Sequence, residues 1–367
     1  MTMPPIVKVS AADPFERGAQ IGEQCAERIQ RSVDLYEAVF AHYAQLPWSQ
    51  VVDYAKQFRA PIAEFSPDIM AEMDGIAAGA NRSREEILAL NARSEVMFGL
   101  KVEPAGECTS FFAGPSATSN GHTLVGQNWD WKPACTDTLV LLEIDQGESL
   151  PAFVTIVEAG LLAKTGFNSA GIGLATNTLI TPMDKGTPGV TYHVLLRQIL
   201  NSWTIEDALA SIFGAQRSAS ANYLIGAQRG VGVSVETTPG GVEGIHLVRP
   251  VEDVIGHSNN YVCDVPFEDY GAATFPDSPE RVRELSTVLQ SSSGAITPES
   301  IMTALRSHDA GYPDAICRHP NEEQPAIERI ATDASAIYDL TTLTAQVTTG
   351  RPCENDYVDY TPAFARR

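Results

Sequence analysis

The chain has 367 residues, of which 44% are hydrophobic and 19% charged, so it can bury a large core and is not a disordered protein. Its 46 acidic residues outnumber its 25 lysines and arginines, and the net charge of -21 argues against binding to nucleic acid or to anionic membranes. The sequence shows no secretory signal and no membrane span, and its six cysteines are scattered without a CxxC pair. It therefore predicts a soluble protein of the reducing cytoplasm, without a disulfide scaffold or a zinc site.

The first hundred residues are predicted to be helical. Apolar residues recur with a period near 3.6 over residues 13–45, and Asp13 before Pro14 is suited to begin a helix. A second helix is predicted over residues 67–79. A third begins at Ser83, because Ser83 and Glu86 have the spacing of a capping box.

Beyond residue 108 the pattern changes to strands. Strands over 109–112 and 123–131 are predicted to form a hairpin, since Asn120 and Gly121 between them favour a tight turn. Further strands are predicted over 139–144, 152–158, 172–176, 223–227 and 232–237, helices over 192–200, 205–213, 279–290 and 298–307, and a last hairpin over 336–339 and 343–347. This order predicts an α+β fold of antiparallel sheets flanked by helices, not a doubly wound parallel sheet.

The common motifs of nucleotide and metal chemistry are absent from the sequence. It contains no GxGxxG, P-loop, HExxH, EF-hand or GxSxG pattern, and its seven histidines show no ligand spacing. The sequence accordingly predicts an enzyme site that uses no cofactor and no metal ion.

The most informative segment surrounds Cys108. Residues 106–112 read GECTSFF and, after the hairpin turn, residues 126–131 read GQNWDW. The later motifs follow in the order GFNSAGIGL (166–174) with Asn177, HSNN (257–260), GYP (311–313), ICR (316–318) and GRP (350–352). Together they resemble the acyl-coenzyme A:6-aminopenicillanic acid acyltransferase family, a branch of the N-terminal nucleophile hydrolases.

This resemblance implies an αββα sandwich of two antiparallel sheets flanked by helices. It also implies that the chain cleaves itself between Glu107 and Cys108. The products would be a helical pro-region or small subunit, 1–107, and a catalytic body or large subunit, 108–367, which stay associated as one integrated fold. In the penicillin enzyme a glycine precedes the cysteine, so Glu107 departs from the family pattern.

Cleavage ahead of Cys108 would let one residue supply both a nucleophile and a base. A thiol is mostly protonated at neutral pH, whereas a free α-amino group has an ordinary pKa of about 7.7–8.0 and can accept the thiol proton. The same thiol can make the cut by attacking the Glu107 carbonyl carbon, which forms a thioester that water then hydrolyses.

The resemblance further implies the roles of four other residues. Asp130 would hold the new amine of Cys108. Asn259 would donate its side-chain N–H to the developing oxyanion, with a backbone N–H near Asn177 as the second donor. Arg318 would pair with Asp130 or position the nucleophile by a bidentate contact.

Four residues of the second hairpin strand are assigned supporting roles. Gln127 and Asn128 are predicted to support the hairpin rather than to react. Trp129 and Trp131 are predicted to pack or to line the wall of the substrate pocket.

Three functions stay open at this point. The leading hypothesis is an amidohydrolase that takes the acyl group of a small N-acyl amide onto Cys108 and releases it to water. The alternative is an acyltransferase that moves an acyl group from a coenzyme A thioester or an amide to an amine. A third, of another class, is a non-catalytic binding protein that keeps the fold. Hydrolysis is favoured because the sequence shows no recognisable coenzyme A motif. The sequence does not identify the acyl group or the amine of the substrate, and it does not decide whether the chain forms a homo-oligomer.

Overall fold

The computed structural model describes residues 3–102 and 107–366, and of Glu107 it describes the backbone alone. The elements in chain order are β1 (Ile6–Ser10), α1 (Pro14–Tyr43), α2 (Trp48–Ala55), α3 (Arg59–Phe65), α4 (Pro67–Gly79), α5 (Arg84–Asn91), α6 (Arg93–Gly99), β2 (Glu107–Ala113), β3 (Leu124–Trp131), β4 (Leu139–Asp145), β5 (Phe153–Glu158), β6 (Thr165–Asn168), β7 (Ile172–Thr178), α7 (Tyr192–Ile199), α8 (Ile205–Gly214), β8 (Ala221–Ala227), β9 (Gly232–Thr237), β10 (Ile245–Val248), β11 (Val254–His257), α9 (Tyr270–Thr274), α10 (Ser278–Ser291), α11 (Pro298–Leu305), β12 (Ala331–Asp339), β13 (Thr344–Thr349) and β14 (Val358–Tyr360).

The strands form two sheets that pack face to face. One sheet has the order β1-β4-β5-β6-β7-β8-β9-β10, and the other has the order β11-β2-β3-β12-β13-β14. Strands β2 and β3, near the middle of the second sheet, pack on β7 and β8 of the first. Helix α8 packs on β8 with α7 beside it, while α10 and α11 pack on the second sheet. The predicted α+β fold of antiparallel sheets between helices is confirmed.

The first hundred residues are not helical throughout. Strand β1 lies parallel to β4, with Ile6 opposite Leu141, and it extends the first sheet at its edge. This strand is not predicted from the sequence, because it is short and its partner strands lie more than a hundred residues later in the chain. Among the described residues, no helix combines the length and the hydropathy needed to cross a bilayer.

Helix α1 begins where the sequence predicts. The side chain of Asp13 accepts a hydrogen bond of 2.8 Å from the backbone N–H of Glu16, which satisfies a free donor of the first turn. Helix α1 then crosses α4 at very short range. A Cβ atom added to Gly75 of α4 would lie 2.1 Å from the carbonyl oxygen of Phe15, so only glycine permits this approach.

Replacing Gly75 by alanine is expected to lower the free energy of unfolding by about 1–3 kcal/mol, because the helices must separate to admit the methyl group. Gly214 at the end of α8 is the matched control, since a Cβ there meets nothing within 4 Å. Gly214→Ala should be neutral or slightly stabilising. Urea unfolding of both variants checks this, and equal midpoints for the two would contradict the close crossing.

Candidate active site

The β2–β3 hairpin places Cys108 in the interior of the sandwich. Cys108 is the second residue of β2 and lies opposite Trp129, while Glu107 lies opposite Asp130. The cysteine is 1% exposed because β2 and β3 are covered by the other sheet on one side and by α10 on the other. The nucleophile predicted from the sequence is therefore a buried strand residue in the continuous chain.

The backbone of Cys108 is held from both sides. Its N–H donates to Oδ1 of Asn259 at 2.9 Å. Its carbonyl oxygen accepts from Nδ2 of Asn177 at 2.9 Å, from Oγ of Ser258 at 3.0 Å and from Nη1 of Arg281 at 3.1 Å. Because both peptide groups are fixed, the position of the sulfur depends chiefly on the rotation of one side-chain bond.

The thiol borders a cavity of about 10 Å³, enough for about one water molecule. The cavity is lined by Arg93, Ser94, Cys108, Trp129, Asp130, Trp131, Lys164, Thr178 and Tyr192. Burial raises the pKa of the Cys108 thiol, whereas the nearby charge of Lys164 lowers it. Burial also lowers the pKa of Lys164, while Cys108 raises it, and Nζ of Lys164 donates to the hydroxyl of Tyr192 at 3.0 Å. The lysine and the thiol are thus a buried pair of groups that can exchange a proton.

Asp130 is a buried carboxyl group that has one oxygen available as a hydrogen-bond acceptor. Its Oδ1 accepts a hydrogen bond of 2.6 Å from Thr332, and within the described ranges its Oδ2 has no hydrogen-bond partner. Burial raises the pKa of Asp130 to about 6, although Arg281 and Arg318 both lower it. A carboxylate at this place can accept an N–H from a neighbouring amine.

Two arginines of the site are joined by Asp277, which precedes α10. Its Oδ2 accepts from Nε of Arg281 at 2.7 Å and from Nη2 of Arg318 at 2.6 Å. The backbone N–H of Arg318 also donates to Oγ1 of Thr332 at 3.0 Å, the residue that bonds to Asp130. Arg281 and Asp277 were not predicted as site residues from the sequence. Their spacing of four residues at the start of a predicted helix indicates an ion pair, but it does not indicate an active site.

The residues predicted from the sequence do meet in one place, with Asn259 and Asn177 beside Cys108 and Asp130 across the strand pair. Nδ2 of Asn259 donates to the carbonyl oxygen of Thr178 at 2.9 Å, which uses one of its two N–H groups. The side chain of Asn177 binds the Cys108 carbonyl oxygen. The side chain of Glu107, the residue before the predicted cut, lies outside the described residues.

The supporting residues of β3 connect separate parts of the fold. Oε1 of Gln127 accepts from the backbone N–H of Thr176 at 2.7 Å, which ties the two sheets together. Nδ2 of Asn128 donates to the carbonyl oxygens of Leu305 and Ile316 at 2.8 and 2.7 Å. Trp129 and Trp131 both line the cavity, and Trp131 also donates to the hydroxyl of Tyr36 at 3.0 Å.

Comparison with known proteins assigns the chain to a family of enzymes named for acyl transfer. A sequence profile described as Acyl-coenzyme A:6-aminopenicillanic acid acyl-transferase matches residues 116–354, and the chain belongs to this family. A relative from Emericella nidulans, the 40 kDa form of acyl-coenzyme A:6-aminopenicillanic-acid-acyltransferase, is 28% identical over 346 residues, which cover 94% of this chain and 92% of the relative. The resemblance inferred from the motifs is thereby confirmed.

Two solved structures are also similar. A conjugated bile acid hydrolase from Clostridium perfringens has 12% identity and a TM-score of 0.46, over 69% of this chain and 96% of its own. The penicillin V acylase from Agrobacterium tumefaciens has 13% identity and a TM-score of 0.42, over 66% of this chain and 83% of its own.

Proposed function

We propose that the chain is a self-processing cysteine amidohydrolase. It cleaves its own backbone between Glu107 and Cys108 and then hydrolyses a small N-acyl amide through an acyl-Cys108 thioester. The observation that carries this proposal is the surroundings of Cys108, a buried strand residue fixed at its N–H and its carbonyl oxygen, with Lys164 and Asp130 on the same small cavity.

The processing step needs a base for the thiol and a water for the thioester. Lys164 supports the first requirement, because burial favours its neutral amine and its pKa responds to the thiol. The sulfur attacks the Glu107 carbonyl carbon, the bond to the Cys108 nitrogen breaks, and that nitrogen takes up the proton. One water, for which the cavity has room, then converts the thioester into the Glu107 carboxylate and the free thiol.

In the processed enzyme the new amine of Cys108 takes the place of the present backbone N–H. Its hydrogen bond to Oδ1 of Asn259 can be retained, and Oδ2 of Asp130 is an acceptor for a second N–H. The amine takes the thiol proton as the sulfur attacks the substrate carbonyl and then passes it to the leaving amine. The second N–H of Asn259 is the side-chain donor for the oxyanion.

Substrate access requires the cavity to enlarge after cleavage. At about 10 Å³ it excludes any amide substrate in the continuous chain. Arg93 and Ser94 of α6, which belong to the segment ahead of the cut, form part of its wall. Release of the new chain end at Glu107 therefore lets this wall move, and the aromatic rings of Trp129 and Tyr192 suit an apolar acyl group.

We also propose that the segments 1–107 and 108–367 stay associated after cleavage. Strand β1 of the first segment is hydrogen-bonded along β4 of the second. Glu72 of α4 pairs with Arg197 of α7 at 2.9 Å in the interior. Separation would leave these buried charges unpaired, at a cost of several kcal/mol.

The proposed compartment is the reducing cytoplasm. All six cysteines are free thiols in the structure, including the nucleophile. A thiol nucleophile and a set of unpaired cysteines persist where disulfides do not form.

Acyl transfer is the second candidate, favoured by the relative named as an acyltransferase.

The processed protein is expected to release amine from members of an N-acyl amide panel with no thioester present, and hydroxylamine should intercept the acyl group. Amine release and acyl hydroxamate are measured by chromatography and mass spectrometry. Turnover that needs both a coenzyme A thioester and an amine would instead establish the transferase. A processed chain that turns over neither would favour the binding protein.

A further inference from the structure

Four side chains with metal-binding atoms meet at a corner away from the nucleophile. They come from two loops: His308, Cys317 and His319 lie between α11 and β12, and Cys353 lies between β13 and β14. Their ligand atoms all lie within 4.8 Å of one another. We propose that these two imidazoles and two thiolates bind one zinc ion. This inference goes beyond the acyl chemistry and does not depend on it.

Three of the metal-binding side chains already contact one another directly. Nε2 of His319 lies 3.0 Å from Nε2 of His308 and 3.2 Å from Sγ of Cys353. A neutral imidazole nitrogen either donates one hydrogen bond or accepts, so two facing Nε2 atoms need a proton between them. A cation at the centre can replace these hydrogen bonds, because both nitrogen lone pairs and both sulfurs can then point at one atom.

The geometry is close to that of a tetrahedral zinc site. Zinc–sulfur bonds of about 2.3 Å and zinc–nitrogen bonds of about 2.0–2.1 Å place ligand atoms roughly 3.3–3.8 Å apart. The separations of 3.0 and 3.2 Å in the structure, and the upper limit of 4.8 Å, require only small side-chain shifts. Two thiolates and two neutral imidazoles favour zinc over the hard cations magnesium and calcium, and they balance its double charge.

The surroundings of the four residues resemble those of a structural metal site. Cys317 is buried, and its backbone N–H donates to the carbonyl oxygen of Ser307 at 3.0 Å, which fixes the loop beside His308. Nδ1 of His319 lies 3.7 Å from Oε1 of Glu354, so a carboxylate stands behind the ring on the side away from the other ligands. Four protein ligands leave no open position, which indicates a structural ion rather than a catalytic one.

A metal at this corner would also position a residue of the active site. Arg318 lies between two of the ligands in the chain, and its guanidinium reaches Asp277 at 2.6 Å. Its backbone N–H holds Thr332, the hydrogen-bond donor to Asp130. Zinc would therefore stabilise the loop that carries Arg318 without touching substrate.

The test is metal binding by the full chain. Reduced protein, stripped with a chelator, is titrated with zinc against a chromophoric competitor and separately with cobalt(II). We expect one metal per chain and, with cobalt, the thiolate charge-transfer and tetrahedral ligand-field bands. Cys353→Ser should weaken zinc binding by more than about 100-fold, beyond the 10–100-fold loss typical of an outer partner such as Glu354. Cys353 is exposed, so this variant should fold, which circular dichroism checks.

Matched controls separate this corner from adventitious binding. His308→Gln should also lose the metal, whereas Cys263→Ser and His246→Gln, at residues outside the cluster, should bind zinc as the unchanged chain does. The proposal is overturned if reduced protein holds no zinc, if Cys353→Ser and Cys263→Ser bind it equally, or if the cobalt form lacks the thiolate band.

Discussion

Cys108→Ala is expected to remain one uncut chain and to lower amide turnover by at least about 10⁴-fold, because the variant lacks the atom that attacks both carbonyl groups. The unchanged chain should instead yield two fragments, 1–107 and 108–367, the second beginning with Cys108. The backbone contacts of residue 108 involve its N–H and its carbonyl oxygen, and these survive in alanine. Intact mass, N-terminal sequencing and a turnover assay measure the outcome.

Cys25→Ala is the matched control for loss of a buried thiol. Cys25 is 2% exposed in α1 and does not line the cavity. Its removal should cost stability and leave both cleavage and turnover in place. If Cys108→Ala is still cut between residues 107 and 108, another agent makes the cut and the self-processing proposal is wrong.

Asp130→Asn is expected to slow processing by about 10²–10³-fold, because the free Oδ2 of Asp130 can accept an N–H from the amine that forms as the bond to the Cys108 nitrogen breaks. Burial raises the pKa of Asp130 to about 6, so the processing rate of the unchanged chain should fall as the pH is lowered through 6. Asparagine does not titrate, and the variant should lack this decrease. The rate of cleavage between pH 5 and pH 8, followed by gel densitometry, measures both effects.

The stability of the fold should fall as the pH rises, whereas the processing rate should increase. The folded pKa of Asp130 lies above its ordinary value of 3.8, so the fold favours the neutral carboxyl and loses stability as the pH rises from about 3.8 to about 6. The full shift corresponds to roughly 3 kcal/mol, which Asp130→Asn should recover above pH 6. Thermal unfolding at about pH 3.5 and at about pH 8 measures this difference.

Asp184→Asn is the control for these effects. Burial raises the pKa of Asp184 to about 6 as well, but its carboxylate binds Ser220 and Thr181, outside the cavity. This variant should keep the acid decrease of the processing rate. An unchanged pH profile in Asp130→Asn, or the same altered profile in Asp184→Asn, would contradict the role of Asp130.

Helices and strands with strong local signals were predictable from the sequence. The capping residues Asp13 and Ser83 begin helices as expected, and the strand predicted over 232–237 is β9. Strands β1, β10, β11 and β14 were missed, since they are short and are held by partners that local patterns do not reveal. Strand β6 was also missed, because its four residues include a glycine that lies against the backbone of β5.

The motifs between residues 106 and 352, taken in their order, identified the family, which the match of the family profile over residues 116–354 confirms. They also selected residues that the fold brings together, such as Asn259, which lies 151 positions from Cys108 and accepts its N–H. The catalytic roles given to these residues stay predictions until the variants are measured. Arg281 and Lys164 were not selected, because nothing in their local sequence distinguishes them from other cations.

The sequence by itself determined the family and most of the order of the elements, since these depend on motifs and patterns of residues that are neighbours in the chain. Only the tertiary structure decided that Lys164 shares a cavity with Cys108, that Asp277 joins two arginines, and that two histidines and two cysteines form one cluster. The expectation of no zinc site rested on the absence of a CxxC pair and of histidine ligand spacing, and these patterns do not register Cys353, which joins the cluster from a separate loop. Burial and charge at these places arise from contacts between distant segments, and these exist only once the sheets have packed.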